Sequence, residues 1–262
     1  ASDVYKRQAF AREVKLTEEE WKQGIDYLTA TGQMCDDTRQ EFILLSDVLG
    51  LSMLTIAMNN DKPAGCTEAT VFGPFYVEGA PEYAHGDDVA NGAAGEPCDV
   101  SVTVRGLDGV PVAGAVVDVW QADAGGHYDV QHPELGHAEN RGRLHTGPDG
   151  ALHFRSVLAE AYPIPTDGPV GQLLDATKRH PWRPAHLHFM IQAPGYERLI
   201  THVFREGDQW LDSDAVFAVR ESLVAPWTRQ ADGRWRLDFD FVLNPLAAAP
   251  ARSEPRAAAQ PA

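Results

Sequence analysis

The heptapeptide RPAHLHF, residues 183–189, carries two histidines separated by a single leucine. Successive side chains on a β-strand face opposite ways, so in a strand His186 and His188 point to one side and Leu187 to the other. Two imidazoles about 6–7 Å apart along one strand face can bind the same metal ion. A half-buried strand with two hydrogen-bonded histidines gives the same pattern, and both zinc and non-haem iron sites use such pairs. The motif alone leaves these alternatives open.

The other histidines form no equally simple set of metal ligands. His127, His132 and His137 recur every five residues, a spacing that places nothing on one face of a helix or a strand. We expect them to be solvated loop residues. His145 and His153 face each other across a predicted strand–turn–strand unit, where we expect structural roles for both.

Two tyrosines lie in predicted loops, Tyr128 in AGGHYD and Tyr162 in LAEAYPIPTDGP. A loop tyrosine usually packs with its hydroxyl hydrogen-bonded. On residue type alone, the two tyrosines are therefore weaker candidates for metal ligands than the two histidines of the motif.

The composition is that of a folded, acidic chain. Of the 262 residues 44% are hydrophobic, and the formal net charge is −16, which argues against nucleic-acid binding because that requires a basic stripe. The chain has three cysteines and no C-x-x-C pair. This cysteine content is typical of a protein in a reducing compartment. There is no signal-peptide pattern, and the longest apolar stretch, residues 42–54, is too short for a membrane span. These features predict a soluble, cytoplasmic protein.

The elements before residue 70 are predicted to be helical. Thr17 and Glu20 form a capping box for a first helix that should stop at Gly32. Apolar residues at helical spacing predict a second helix from residue 36 or 37 through Asn59. The first eight residues fit no pattern.

The remainder is predicted to be β-structure. Three strand–turn–strand units are expected, over residues 100–123 with a turn at Asp108-Gly109, over 144–157, and over 185–204 with a turn at Pro194-Gly195. Residues 233–243 alternate as a last strand. Long irregular stretches, residues 77–97, 127–143 and 162–184, interrupt the strands, and loops of that length are often functional.

These patterns predict a mainly β protein, with a β-sandwich core, long functional loops and a small N-terminal helical domain. We divide it into a helical region (residues 1–76), a β-sandwich domain (residues 77–246) and a disordered, Ala/Pro-rich tail (residues 247–262).

From about Trp21 to Leu243 the sequence resembles the intradiol ring-cleaving dioxygenases. Five segments carry the resemblance, in the family's order and spacing: GPFYVEGAPE (73–82), VVDVWQADAGGHYD (116–129), TGPDGALHFRSVLAEAYPIPTDGPVGQLL (146–174), RHPWRPAHLHFMIQAPGYERLITHVF (179–204) and DQWLDSDAVFAVRESLV (208–224).

The resemblance implies one iron(III) ion per subunit, held by Tyr128, Tyr162, His186 and His188, with Tyr162 and His188 axial. Two phenolates and a hydroxide would balance the ferric charge in a buried site. In the family, the axial tyrosine leaves the metal and accepts a substrate proton. Arg183 matches the family arginine beside the substrate ring, where it stabilises negative charge.

Within the family the chain is most similar to the hydroxyquinol 1,2-dioxygenases. VFGPFY, LLSD and YPIP match their pocket segments, and His202 falls where catechol enzymes usually have glutamine. Asp47 of LLSD would hydrogen-bond the third hydroxyl of benzene-1,2,4-triol, because a buried carboxylate needs a partner; the alternative is a solvated helix residue. The implied substrate-binding residues are Leu44, Asp47, Val71, Phe72, Gly73, Pro74, Phe75, Ile164, Pro165, Arg183, His202 and Val216.

The expected reaction cleaves hydroxyquinol with O₂ to 3-hydroxy-cis,cis-muconate, which tautomerises to maleylacetate; catechol or chlorocatechol cleavage is the alternative. The resemblance further implies a homodimer through the N-terminal helices and a phospholipid bound there, although this helical part is shorter than is usual in the family. A zinc hydrolase is disfavoured, since two tyrosinates suit zinc poorly. A sandwich that has lost its metal is disfavoured because all four ligands are present.

Overall fold

The structure is a computed structural model that describes residues 2–37 and 39–246. The predicted disordered tail, residues 247–262, lies outside the described residues. The helices are α1 (Ser2–Glu13), α2 (Glu18–Gln33), α3 (Glu41–Val48), α4 (Leu51–Asn59) and α5 (Pro169–Ala176). The strands are β1 (Pro97–Gly106), β2 (Val116–Trp120), β3 (Arg141–His145), β4 (Ala151–Val157), β5 (Tyr162–Pro163), β6 (Trp182–Arg183), β7 (His186–Gln192), β8 (Leu199–Arg205), β9 (Val224–Ala225), β10 (Trp227–Arg229) and β11 (Trp235–Leu243).

Helix α2 begins at the predicted capping box. The backbone N–H of Glu20 donates to Thr17 Oγ1 at 3.2 Å, and the N–H of Thr17 donates to Glu20 Oε2 at 2.9 Å. The helix ends at Gln33, one residue beyond the predicted stop at Gly32. The first eight residues, for which the sequence predicted no element, belong almost entirely to α1. Its side chains from Val4 onward are largely exposed, so no apolar stripe reveals it in the sequence.

The predicted single helix ending at Asn59 is also wrong. Gly50, in the left-handed conformation with φ 73°, separates α3 from α4, and the two helices are bent by 78°. The ring of Phe217 packs 3.3 Å from where a Cβ on Gly50 would lie. Among the described residues, no single helix is long and apolar enough to cross a bilayer. The bent α3–α4 pair together has the length and the apolar composition of a membrane span, and nothing else indicates one.

Two β-sheets form the centre of the protein. One has four strands in the order β10-β11-β1-β4, and the other has five in the order β3-β2-β7-β8-β9. Their facing residues share one core, in which the rings of Phe189 and Phe241 lie 4.8 Å apart. The predicted β-sandwich with an N-terminal helical region is confirmed.

Two of the three predicted strand–turn–strand units are not hairpins. The turn at Asp108-Gly109 forms, with the N–H of Gly106 donating to Val110 O at 2.9 Å. However, β1 pairs with β4 and β11, whereas β2 pairs with β3 and β7. Strands β3 and β4 likewise lie in different sheets, so His145 and His153 do not face each other. The β7–β8 hairpin is confirmed, as is the last strand, β11, which pairs in parallel with β1.

Candidate active site

The two histidines of the H-x-H motif lie on β7, in the middle of the five-stranded sheet. Leu187 and Phe189 belong to the sandwich core, and the alternation of the strand places His186 and His188 on the opposite face. Both imidazoles are buried, with 2% and 1% of their residue surface exposed, because loops and helices cover this face. The predicted same-face arrangement is therefore present.

Tyr128 is positioned by the segment that follows β2. Its backbone N–H donates to Gln131 Oε1 at 2.8 Å. The next residue, Asp129, accepts three hydrogen bonds from the Arg141 guanidinium of β3, the shortest at 2.6 Å. This buried ion pair ties the short 3₁₀ turn Asp129–Gln131 to the sheet, and so fixes where Tyr128 enters the site.

Tyr162 begins β5, which pairs with the strand that carries Arg183. The Tyr128 segment approaches it at Gly126, where a Cβ would lie 2.9 Å from the Cβ of Tyr162. Gly126 also has φ 78°, a conformation that favours glycine. The two tyrosine segments can therefore meet only because this residue has no side chain.

Four donor atoms converge on one point. Tyr128 Oη lies 3.0 Å from His188 Nε2 and 3.5 Å from Tyr162 Oη, and the two Nε2 atoms of His186 and His188 are 3.2 Å apart. Metal–imidazole bonds of about 2.0–2.1 Å place neighbouring ligand atoms roughly 3 Å from one another. These separations match the edges of a coordination shell around a single ion.

The protonation states support the same interpretation. His186 Nδ1 lies 2.7 Å from Pro184 O and must donate to it, so its Nε2 presents a lone pair to the site. Burial lowers the pKa of His186 and of His188 well below the ordinary value, so both rings are neutral at pH 7. Burial also raises the pKa of Tyr128 well above its ordinary value. Neutral imidazole lone pairs and phenol oxygens in a buried cluster are donors that a cation would satisfy.

Arg183 is the cation of the site, and only 3% of it is exposed. Its Nη1 donates to Tyr162 Oη at 3.2 Å and to His186 Nε2 at 3.3 Å, and its Nε donates to Asp214 at 3.3 Å. Burial opposes the charge, but the negative potential of Tyr162 and Asp214 outweighs it, and the pKa of Arg183 stays above its ordinary value. Its Nη2 has no hydrogen-bond partner among the described residues.

Comparison with known proteins identifies this kind of site. The family model described as "Dioxygenase" matches residues 71–245, and "Catechol dioxygenase N terminus" matches residues 4–67. The chain belongs to the intradiol ring-cleaving dioxygenases. It is 75% identical over 236 residues to the 6-chlorohydroxyquinol 1,2-dioxygenase of Cupriavidus pinatubonensis, covering 90% of this chain and 86% of that protein.

Two further intradiol dioxygenases are similar over most of their length. The hydroxyquinol 1,2-dioxygenase of Nocardioides simplex is 53% identical over 249 residues, or 90% of this chain and 85% of that protein. The crystal structure of the hydroxyquinol 1,2-dioxygenase of Pseudomonas putida DLL-E4 has a TM-score of 0.89 at 47% identity, covering 93% of this chain and 90% of that one.

The residues predicted to bind substrate come from several elements of the fold. Leu44, Val71, Ile164 and Val216 belong to one apolar cluster between the helices and the outer face of the five-stranded sheet. Phe75 stacks on Tyr128 with ring centroids 4.3 Å apart.

Other predicted pocket positions lie closer to the surface. A Cβ on Gly73 would be 3.3 Å from His188 Cε1, so the backbone at Gly73 packs against this histidine. Phe72 has 37% of its surface exposed, and Pro74 and Pro165 are exposed as well.

His202 lies beside both motif histidines, with ring nitrogens of the three within 4.8 Å of one another.

Asp47 is buried on α3, with 8% of its surface exposed. Burial raises its pKa, while the Ser52 hydroxyl and the charge of Arg183 act in the opposite direction. A carboxylate in this situation lacks full compensation within the protein. It is therefore available to a substrate hydroxyl.

Three supporting residues escaped the sequence prediction. Trp120 stacks on His188 at 4.6 Å, Asp214 holds Arg183, and Arg141 anchors the Tyr128 turn. No spacing rule links them to their partners, since each contact joins segments that are distant in sequence. The histidines at 127, 132 and 137 are not drawn into the site and lie at or near the surface, as predicted.

Proposed function

We propose that this intradiol dioxygenase holds one iron(III) ion on Tyr128, Tyr162, His186 and His188 and cleaves hydroxyquinol between its two adjacent hydroxylated carbons. The convergence of the four donor atoms carries the proposal. Two tyrosine oxygens become anionic on a trivalent ion, and two neutral imidazoles complete the set without adding charge. An all-imidazole site would instead suit a divalent metal.

Iron(III) bound there would supply the Lewis acidity that makes the aromatic ring of the substrate reactive toward O₂. Tyr162 Oη accepts a proton from a substrate hydroxyl, and Arg183 Nη1, 3.2 Å away, donates a hydrogen bond to that oxygen. Arg183 Nη2 stabilises negative charge on the substrate ring, because no described protein group competes for it. The apolar residues around the site exclude water, which strengthens these interactions.

The substrate assignment rests on Asp47 and on the relatives. The similar proteins reported above are named for hydroxyquinol or 6-chlorohydroxyquinol. A buried carboxylate discriminates strongly in favour of a substrate hydroxyl, because the analogue that lacks the hydroxyl leaves the carboxylate unpaired. The product is 3-hydroxy-cis,cis-muconate, the tautomer of maleylacetate. Catechol or chlorocatechol as the better substrate would overturn this assignment and leave the reaction class intact.

The visible absorption spectrum tests the iron site. Iron(III) bound to tyrosinate gives a ligand-to-metal charge-transfer band, so the iron-loaded protein is expected to be coloured. Hydroxyquinol added without oxygen should shift the band, and catechol should do so at higher concentration. A fully iron-loaded protein without colour would contradict the tyrosinate ligands.

The proposed partners are O₂, the aromatic triol and a second copy of the chain, which associates through the N-terminal helices. As the resemblance implies, the helical region also binds a phospholipid. A cytoplasmic location is consistent with Cys35, Cys66 and Cys98, which are free thiols.

A further inference from the structure

His188 sits between two other rings in a row that crosses three strands. In the five-stranded sheet, Trp120 of β2 pairs with His188 of β7, and His188 pairs with His202 of β8. All three side chains therefore stand on the outer face, side by side. Trp120 stacks on the imidazole of His188 at 4.6 Å and 17°, and His202 meets it edge-on at 4.1 Å and 84°.

The two motif histidines are oriented by different means. A metal-bound histidine usually donates its second ring N–H to an acceptor, and this fixes the ring. His186 follows that rule, with Pro184 O as the acceptor at 2.7 Å. His188 does not, since its Nδ1 is buried and has no hydrogen-bond partner among the described residues. The orientation of His188 must therefore come from packing.

His202 is itself held firmly. It is completely buried, and its Nδ1 lies 3.1 Å from Thr70 Oγ1. The N–H of Thr70 donates to Ile200 O at 3.0 Å, which attaches the segment before the substrate pocket to β8. Neither Trp120 nor Thr70 can move without disturbing the sheet, so the ring of His202 presents a fixed surface to His188.

We propose that His202 is a positioning residue that fixes the imidazole of His188 for iron, with Trp120 on the other side and Thr70 behind it. This inference rests on the proposed function, and it revises the sequence-based expectation that His202 contacts the substrate. His202 acts through His188. Its replacement should therefore weaken iron binding before it affects substrate binding.

Iron retention by His202→Ala tests the proposal. Iron-loaded protein is titrated with a strong iron(III) chelator, and retained iron is measured by metal analysis and by the charge-transfer band. Loss of a residue that orients a metal ligand typically costs 10–100-fold in metal affinity, and we expect a loss in this range. KM for hydroxyquinol, measured on the fully iron-loaded variant, should stay unchanged.

Two further variants keep the test decisive if the alanine variant does not fold. Thr70→Val removes only the hydroxyl that holds His202, so iron affinity should fall in the same direction but less. His202→Gln retains an amide that can bond to Thr70, so affinity should lie between those of the alanine variant and the unaltered protein. His153→Ala, an exposed histidine of β4, is the control and should behave as the unaltered protein.

The outcomes separate this inference from the proposed function. Unchanged iron affinity with a raised KM in His202→Ala would overturn the inference and return His202 to substrate contact. A colourless iron-loaded unaltered protein would instead overturn the proposed function, whatever the variants do.

Discussion

Asp47 carries a buried charge that lowers stability and that, in the proposed function, recognises the substrate. Burial raises its pKa above that of an exposed aspartate. A carboxyl group whose pKa is raised in the folded state stabilises the fold when protonated, and that contribution is lost as the pH rises through the folded-state pKa. At neutral pH, the charge of Asp47 therefore lowers the stability of the substrate-free protein. A hydrogen bond from a hydroxyl of bound substrate would offset this loss.

Replacement of Asp47 by asparagine should separate the two effects. At pH 7 we expect Tm to rise, and the difference from the unaltered protein should narrow as the pH falls through the raised pKa of Asp47 toward the ordinary aspartate value of 3.8. A hydrogen bond to a charged group is worth about 1.5–3 kcal/mol, so kcat/KM for hydroxyquinol should fall about 10–100-fold. In contrast, kcat/KM for catechol should change little. Equal losses on both substrates would show that Asp47 does not recognise the third hydroxyl.

For individual residues, the sequence correctly predicted the features that depend on the alternation of side chains along a strand. It placed His186 and His188 on one face, because the period of a strand is two residues. Tyr128 and Tyr162 could not be placed from periodicity, since they come from irregular segments, and only the family resemblance pointed to them. Nothing in the sequence indicated that Trp120 and His202 flank His188, because that contact depends on the register of three strands.

Among the elements, the segment from Val71 to Tyr76 brings pocket residues to the outer face of the sheet. It is anchored at its end by Tyr76, whose hydroxyl donates to Asp118 Oδ2 at 3.1 Å. Asp118 is buried and accepts two hydrogen bonds from Arg143, at 2.6 and 2.8 Å. The rings of Phe72 and Trp120 pack against Tyr76 at 4.6 and 5.2 Å.

Replacement of Tyr76 by phenylalanine should loosen this segment. The hydrogen bond to Asp118 is lost while the ring contacts remain, so we expect KM for hydroxyquinol to rise by roughly tenfold. That increase corresponds to about 1.4 kcal/mol, close to the lower end of the range of about 1.5–3 kcal/mol for such a bond. The charge-transfer band and kcat should change little, because no donor atom of the metal site is touched. Tyr5→Phe on α1, where the side chain is exposed, is the control. A loss of the band with unchanged KM would contradict this role for the segment.

The prediction of elements failed where a turn sequence, which is local, was used to infer which strands pair in a sheet. The turn at Asp108-Gly109 was recognised, but β1 and β2 then enter different sheets, and a turn sequence does not specify its sheet. The break at Gly50 was missed because the apolar spacing of α3 continues into α4. The hairpin of β7 and β8 was correct, since its two strands remain neighbours in one sheet.

For the whole molecule, the outstanding feature is apolar surface on the N-terminal helices. Trp21, Ile25 and Leu28 recur on one face of α2 and are 57%, 42% and 46% exposed. Phe10 of α1 and Val14, the residue that follows this helix, are 63% and 48% exposed. Contiguous exposed apolar surface usually marks an interaction site. A second copy of the chain that presents the same helices would cover it symmetrically.

A charge placed on this face should therefore dissociate the proposed dimer. Ile25→Glu would bury a carboxylate without a partner at the interface, and sedimentation velocity should show a monomer where we expect a dimer for the unaltered protein. Gln23→Glu, which introduces the same charge at an exposed position on the opposite side of α2, should leave the proposed dimer intact. The charge-transfer band should persist in both variants, because the four donor atoms all come from the β-domain. If Ile25→Glu still sediments as a dimer, the subunits meet through another surface, and the exposed side chains of α1 and α2 need a different partner.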